Sequence, residues 1–140
     1  MSSEDYLIRQ FQQLAKVMAA LMGLRESRKY EEAIKEIDQV LDSWYDLDAS
    51  RIDQLSAGEL NELIFNNMNG NFEEKKAIAE LIYQKTIIYR EMEKYNESIV
   101  MALKALALFR TVDQQGGIFS IEVQQRIAEL DQMVSGALPG

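Results

Sequence analysis

The 140-residue chain predicts an all-α protein of antiparallel helical hairpins, roughly five to seven helices in all. Three observations carry that expectation. Apolar residues recur at intervals of three and four over most of the length. The single proline, Pro139, lies beyond every such segment. No stretch alternates with period two for long enough to make a sheet strand. A chain of this length is expected to form one domain with one core, here over 1–136, with a frayed tail at 137–140.

Taken in order, Leu7, Phe11, Leu14, Met18, Leu21 and Met22 put one apolar face on a first helix of about 4–26, which ends near Gly23 to Ser27. Tyr30, Ala33, Ile34, Ile37, Val40, Leu41 and Trp44 mark a second helix. The short connection makes the pair an antiparallel hairpin, 4–48. Residues 49–72 are irregular except for Ser56 and Glu59, whose spacing is that of a capping box opening a short helix of about 57–68. The tract from Asn66 to Asn71, four asparagines with Met68 and Gly70, tolerates left-handed backbone and turns the chain. A second hairpin occupies 73–113. Ile78, Leu81, Ile82, Ile88, Tyr89 and Met92 lie on its first helix, and Ile99, Ala102, Leu103, Leu106 and Phe109 on its second. Gly116-Gly117 breaks the chain before a last helix over 118–135, marked by Val123, Ile127, Leu130 and Val134.

Composition excludes several kinds of chemistry. There is no cysteine and no histidine, which removes disulfides, thiolate nucleophiles, the usual zinc sites and imidazole bases. The net charge of −8 is concentrated between Glu31 and Glu62, where ten acids face Lys35 and Arg51 and alone sum to −8. The rest of the chain is balanced and offers no basic stripe, so nucleic acid is not an expected partner. The longest apolar run, Val17 to Leu24, sits between Lys16 and Arg25 and is too short to span a bilayer. With no positive region at the start, the chain reads as cytoplasmic, without a membrane partner.

The motifs that resemble chemical sites fail on spacing. Asn67, Asn69, Gly70 and Phe72 partly imitate a calcium loop, yet counting from Gly70 places Phe65 and Lys76 at the end positions that need carboxylates. Asp42, Asp46 and Asp48 near a helix end fit a solvated surface better than a magnesium site. Glu31-Glu32, Glu73-Glu74 and the Glu91/Glu93 pair cannot converge within one helix, since neighbours differ by about 100° in direction. The glycines make no phosphate loop. No catalytic, cofactor-binding or metal-ligating residue is therefore assigned.

Lys29-Tyr30-Glu31-Glu32-Ala33-Ile34 followed by Val40-Leu41 matches Lys94-Tyr95-Asn96-Glu97-Ser98-Ile99 followed by Ala105-Leu106, and the two tyrosines are 65 positions apart. In these hairpins, about half the chain resembles the tetratricopeptide repeat family, with its period of about 34 residues. There an aromatic opens the second helix and a small residue, here Ala33 or Ser98, lets two helices approach. The chain departs from the family pattern at Leu21 and Thr86, where a glycine is usual, in lacking the closing prolines, and in having no clean third unit. A right-handed superhelix of that type and a compact bundle both stand as architectures. Asp5-Tyr6-Leu7-Ile8-Arg9-Gln10, the run Tyr30 to Asp38, and Leu47-Asp48 with Ile52 and Leu55-Ser56 also resemble a small family of uncharacterised bacterial proteins. No activity is assigned to that family, so the resemblance implies a helical domain and no site residues.

What remains is surface for a protein or peptide. The apolar face of the first helix packs on the second, or extends beyond it to make a homodimer or grip a partner. Trp44 reads as a core residue, with the alternative that Trp44 and Tyr45, flanked by acids, anchor a ligand or partner. The tetratricopeptide resemblance implies a groove lined by first helices that binds an extended peptide, with facing positions Met18, Met22 and Arg25 in one unit and Tyr83, Ile87 and Arg90 in the other. The chain thus reads as a non-enzymatic protein-interaction module or adaptor without a cofactor. A structural homo-oligomer joined through the first helix is the alternative, and a carboxylate or metal-assisted hydrolase a distant third.

Overall fold

A computed structural model describes residues 3–136, so the tail assigned to 137–140 lies outside the described residues. Among them are seven α-helices and no strand: α1 (Ser3–Glu26), α2 (Tyr30–Tyr45), α3 (Ala49–Gln54), α4 (Ala57–Glu62), α5 (Phe72–Glu91), α6 (Tyr95–Gln115) and α7 (Ile121–Gly136). The all-α expectation holds. No described helix is long and apolar enough to cross a membrane.

Local chemistry sets the helix ends. Asp48 caps α3 by accepting from the Arg51 amide at 2.8 Å, and Asn71 caps α5 by accepting from the Glu74 amide at 2.9 Å. Ser56 and Glu59 form the expected capping box, with the Glu59 amide donating to Ser56 Oγ and the Ser56 amide to Glu59 Oε1. Each bond satisfies an amide that the helix start leaves free. Past Glu62 the helix continues as a π-helical turn, Leu63–Asn67. The Phe65 carbonyl in that turn accepts from Lys75 Nζ at 3.1 Å, so the widened turn is tied to α5. Gly70 adopts φ +131, a conformation other residues rarely reach. At Gly116, a Cβ would stand 2.9 Å from the Val112 carbonyl oxygen and 3.4 Å from Phe72, so glycine allows the α6 end to approach α5.

The two long hairpins turn alike. In the first, the amides of Arg28 and Lys29 donate to the carbonyls of Arg25 and Leu24; in the second, those of Glu93 and Lys94 donate to Arg90 and Tyr89. Arg28 and Glu93 both take left-handed backbone, φ 58 and 61. Corresponding residues are again 65 apart (93 − 28). Ala33 and Ser98, the small residues expected at the close approach, are both buried, and Ser98 Oγ donates to the Thr86 carbonyl at 3.0 Å across the second hairpin. A larger side chain there would force α5 and α6 apart.

Side-chain pairing sets the direction of packing. Along α5, Glu80 meets Arg126 of α7 and Tyr83 meets Glu129, so numbering rises in the same sense on both helices. Arg25 near the end of α1 meets Gln84 and Glu91 near the end of α5. Thus α1, α5 and α7 run the same way and form one layer, while α2 and α6 run back as the second. The core is a continuous cluster between the layers, including Leu21, Ile37, Leu41, Ile82, Ile88 and Phe109. α5 packs most extensively on α6 and also reaches α2, and α4 packs on α6.

Two buried lysines brace this core. Lys85 Nζ donates to Asp38 Oδ1 at 2.7 Å, joining α5 to α2. Lys104 Nζ donates to the Ile52 carbonyl at 2.8 Å and holds α3 on α6. Burial pushes the Lys104 pKa down, opposed by the nearby Asp53 carboxylate and aided by Lys85.

Candidate functional site: an apolar groove with an acidic rim

The first helix is only partly covered. Val17 and Leu21 are buried in the core, and Arg25 donates to Glu91 and Gln84 at the far end. The N-terminal two-thirds of α1, up to Met18, instead borders a groove of about 450 Å³, whose other side comes from the N-terminal halves of α5 and α7. Leu7, Phe11, Leu14 and Met18 line it from α1, Ala77 from α5 and Val123 from α7. Tyr45 of α2 and Phe109 of α6 reach in from the second layer. Phe11 is 75% exposed, an unusual state for a phenylalanine flanked by other apolar residues. Apolar residues outside the groove lining are exposed too: Ile8 on α1, and Ile118, Phe119 and Ile121 just ahead of Val123 in the chain.

Charge around the groove has one prevailing sign. Glu73, Glu74 and Glu80 of α5 and Glu122 of α7 line it, against the single base Lys76. Glu80 is neutralised by a two-pronged contact from Arg126, at 3.0 and 3.2 Å. The other three acids make no ion pair among the described residues, although the Arg126 charge, paired with Glu80, also feels Glu122. The Tyr45 phenol is pushed up to about 12, first by burial, then by the Glu74 charge and Tyr6. No group of three or more acidic, cysteine or histidine residues among those described is arranged to hold a metal ion.

The six residues assigned from the sequence take different places. Met18 lines the groove. Met22 is exposed, one turn further along α1, and does not line it. Arg25 belongs to the α1–α5 ion pair. Tyr83 is buried and donates to Glu129 at 2.7 Å, with the Arg126 guanidinium 4.1 Å from its ring centre and Phe109 edge-on at 6.4 Å. Burial first, and the Glu129 bond second, push its phenol up to about 12. Ile87 is buried in the core, and Arg90 lies 3.7 Å from Glu129. The cause is α7, which covers this part of α5 and leaves the groove nearer the α5 N-terminus, beside Glu73, Glu74 and Ala77.

Trp44 is a correction to the sequence reading. It is 39% exposed, with its ring edge-on to Tyr45 at 6.2 Å, and the inward position belongs to Tyr45. The helical period cannot separate two adjacent aromatics at a helix end. The groove's α5 and α7 residues carry no local sequence signal, because their meeting depends on how the hairpins dock. No family model, curated protein or solved structure matches this chain.

Proposed function

We propose that this protein is a non-enzymatic, cytoplasmic interaction module that receives a segment of another protein in the groove beside α1. The observation that carries this reading is the open apolar face of Leu7, Phe11, Leu14 and Met18, with exposed Ile8 next to Leu7 in α1 and exposed Phe119 shortly ahead of Val123 in the chain. A small molecule filling 450 Å³ leaves those outer residues in water, whereas a protein segment covers both. The repeated hairpin turns, and their resemblance to tetratricopeptide units, support the same reading.

A photo-crosslinking residue at position 11, with a control at exposed Val100 of α6, tests it in cells of the source organism. Adducts to another protein at position 11 and not at position 100 are expected. Adducts at both positions alike, or at neither, overturn the proposal.

The second reading is a homo-oligomer joined through α1, favoured by the exposure of Tyr6, Ile8, Phe11 and Met22 on that helix. Adducts at position 11 confined to a second copy of the chain would decide for it.

A further inference from the structure

The groove's chemistry defines what lies in it. We infer that its occupant is a basic amphipathic helix of another protein, with an apolar stripe on Leu7, Phe11, Leu14 and Met18 and with Lys or Arg flanks facing Glu73, Glu74 and Glu122. This rests on the interaction-module reading and adds the chemical class of the partner.

Charge, backbone bonding and self-repulsion all lead there. Three carboxylates without an ion pair stand on the rim with one lysine among them, and a partner bringing base to them gains both attraction and specificity. Glu73 and Glu74 lie in the first turn of α5, where the helix end carries only about half a positive charge. The rim therefore stays negative. The Glu74 charge is felt inside the groove as well, at the Tyr45 phenol.

Backbone bonding favours a helical occupant over an extended one. The described part of the molecule has no strand, so an extended peptide finds no sheet edge to pair with and would leave its amides and carbonyls unmatched against apolar side chains. A helix arrives with those bonds made. From Leu7 to Met18 the groove follows α1 for about 16 Å, or three helical turns, which suits anchors spaced by three and four residues.

Charge also disfavours self-association. Each copy carries −8, and the exposed half of α1 offers Arg9 and Lys16 against Glu4 and Asp5. A second copy brings no surplus base to the rim, and its overall charge repels.

The test uses model helices of about 18 residues with a leucine stripe and lysine, glutamine or glutamate flanks, plus a lysine peptide with its leucines shuffled. Fluorescence anisotropy reads their binding to the full chain. The ordered lysine helix should bind, the glutamate helix should not, and the shuffled peptide should be much weaker. Replacing the rim acids together, Glu73→Gln, Glu74→Gln and Glu122→Gln, should weaken the lysine helix about tenfold. Removing as many charges from α2, with Glu31→Gln, Glu32→Gln and Glu36→Gln, should change it less than about twofold.

Equal binding of lysine and glutamine helices, lost in both with Phe11→Ala, overturns the basic partner and leaves the groove reading intact. Equal binding of ordered and shuffled lysine peptides reduces the effect to diffuse charge and overturns the inference. Failure of every helix, or indifference to Phe11→Ala, removes the groove reading as well. A dimer that Phe11→Ala dissociates assigns the groove to a second copy and also overturns the inference.

Discussion

Two positions on one helix separate what α1 does for the fold from what it holds open. Phe11 is 75% exposed and Leu21 1%, although both belong to the same apolar stripe. Full burial of a phenylalanine side chain contributes about 1.5–3 kcal/mol. With a quarter of its surface covered, Phe11 contributes about 0.5 kcal/mol, and the better helix propensity of alanine returns a few tenths. Phe11→Ala is therefore expected to change stability by less than about 0.5 kcal/mol. Leu21→Ala empties a site in the packed core and should cost about 2–5 kcal/mol. Urea unfolding followed by circular dichroism, at low and high protein concentration, measures both. A Phe11→Ala cost above about 2 kcal/mol at low concentration would mean that the groove is closed by the chain itself. A cost appearing only at high concentration would mean that a second copy covers it. Either result refutes the reasoning that leaves this face free.

Three further outcomes follow from the packing. Asp38→Asn leaves Lys85 buried without its counter-charge and should cost about 1–3 kcal/mol, whereas Lys85→Met removes the buried charge and should cost less than about 1 kcal/mol; denaturant midpoints of the two variants check the asymmetry. Glu93→Gly relieves left-handed backbone at φ 61 and should stabilise by about 0.5–1 kcal/mol, while Glu93→Ala should not, because strain from a Cβ remains; thermal melts compare them. Tyr45 and Tyr83 ionise near 12 in the folded protein against 10.0 as free groups, so stability they supply is whole below pH 10 and lost as pH rises towards 12. Lys104 acts oppositely, its burial cost easing between its lowered pKa and 10.5; a Tyr83→Phe variant should lose less stability across the tyrosine window, measured by unfolding at stepped alkaline pH.

The helices were legible where a face repeats over several turns. α1, α2, α5, α6 and α7 follow from the spacing of residues such as Leu14, Met18 and Leu21, and the α4 start follows from Ser56 and Glu59. Six-residue α3 was not legible, because one buried residue, Ile52, makes no periodic pattern and Asp48 alone is a weak start signal. The π-turn at Leu63–Asn67 and the burial of Lys85 and Lys104 depend on partners far along the chain, Lys75, Asp38 and Ile52. A local pattern reads lysine as exposed. The same limit governed the groove. Its α1 side was visible as an over-wide apolar face, while Glu122 and Val123 joined it only through the docking of α7. That docking also took Tyr83 and Arg90 into contacts with Glu129.

Methionine methyl resonances report directly on the apolar groove beside the N-terminal two-thirds of α1. Met18 lines the groove, Met22 lies exposed one turn beyond, and Met101 is buried in α6. During titration with the lysine-flanked leucine helix, the Met18 signal should move in step with binding while Met101 stays fixed. A Met18 signal that does not move, or one that moves no further than Met101, would contradict the account.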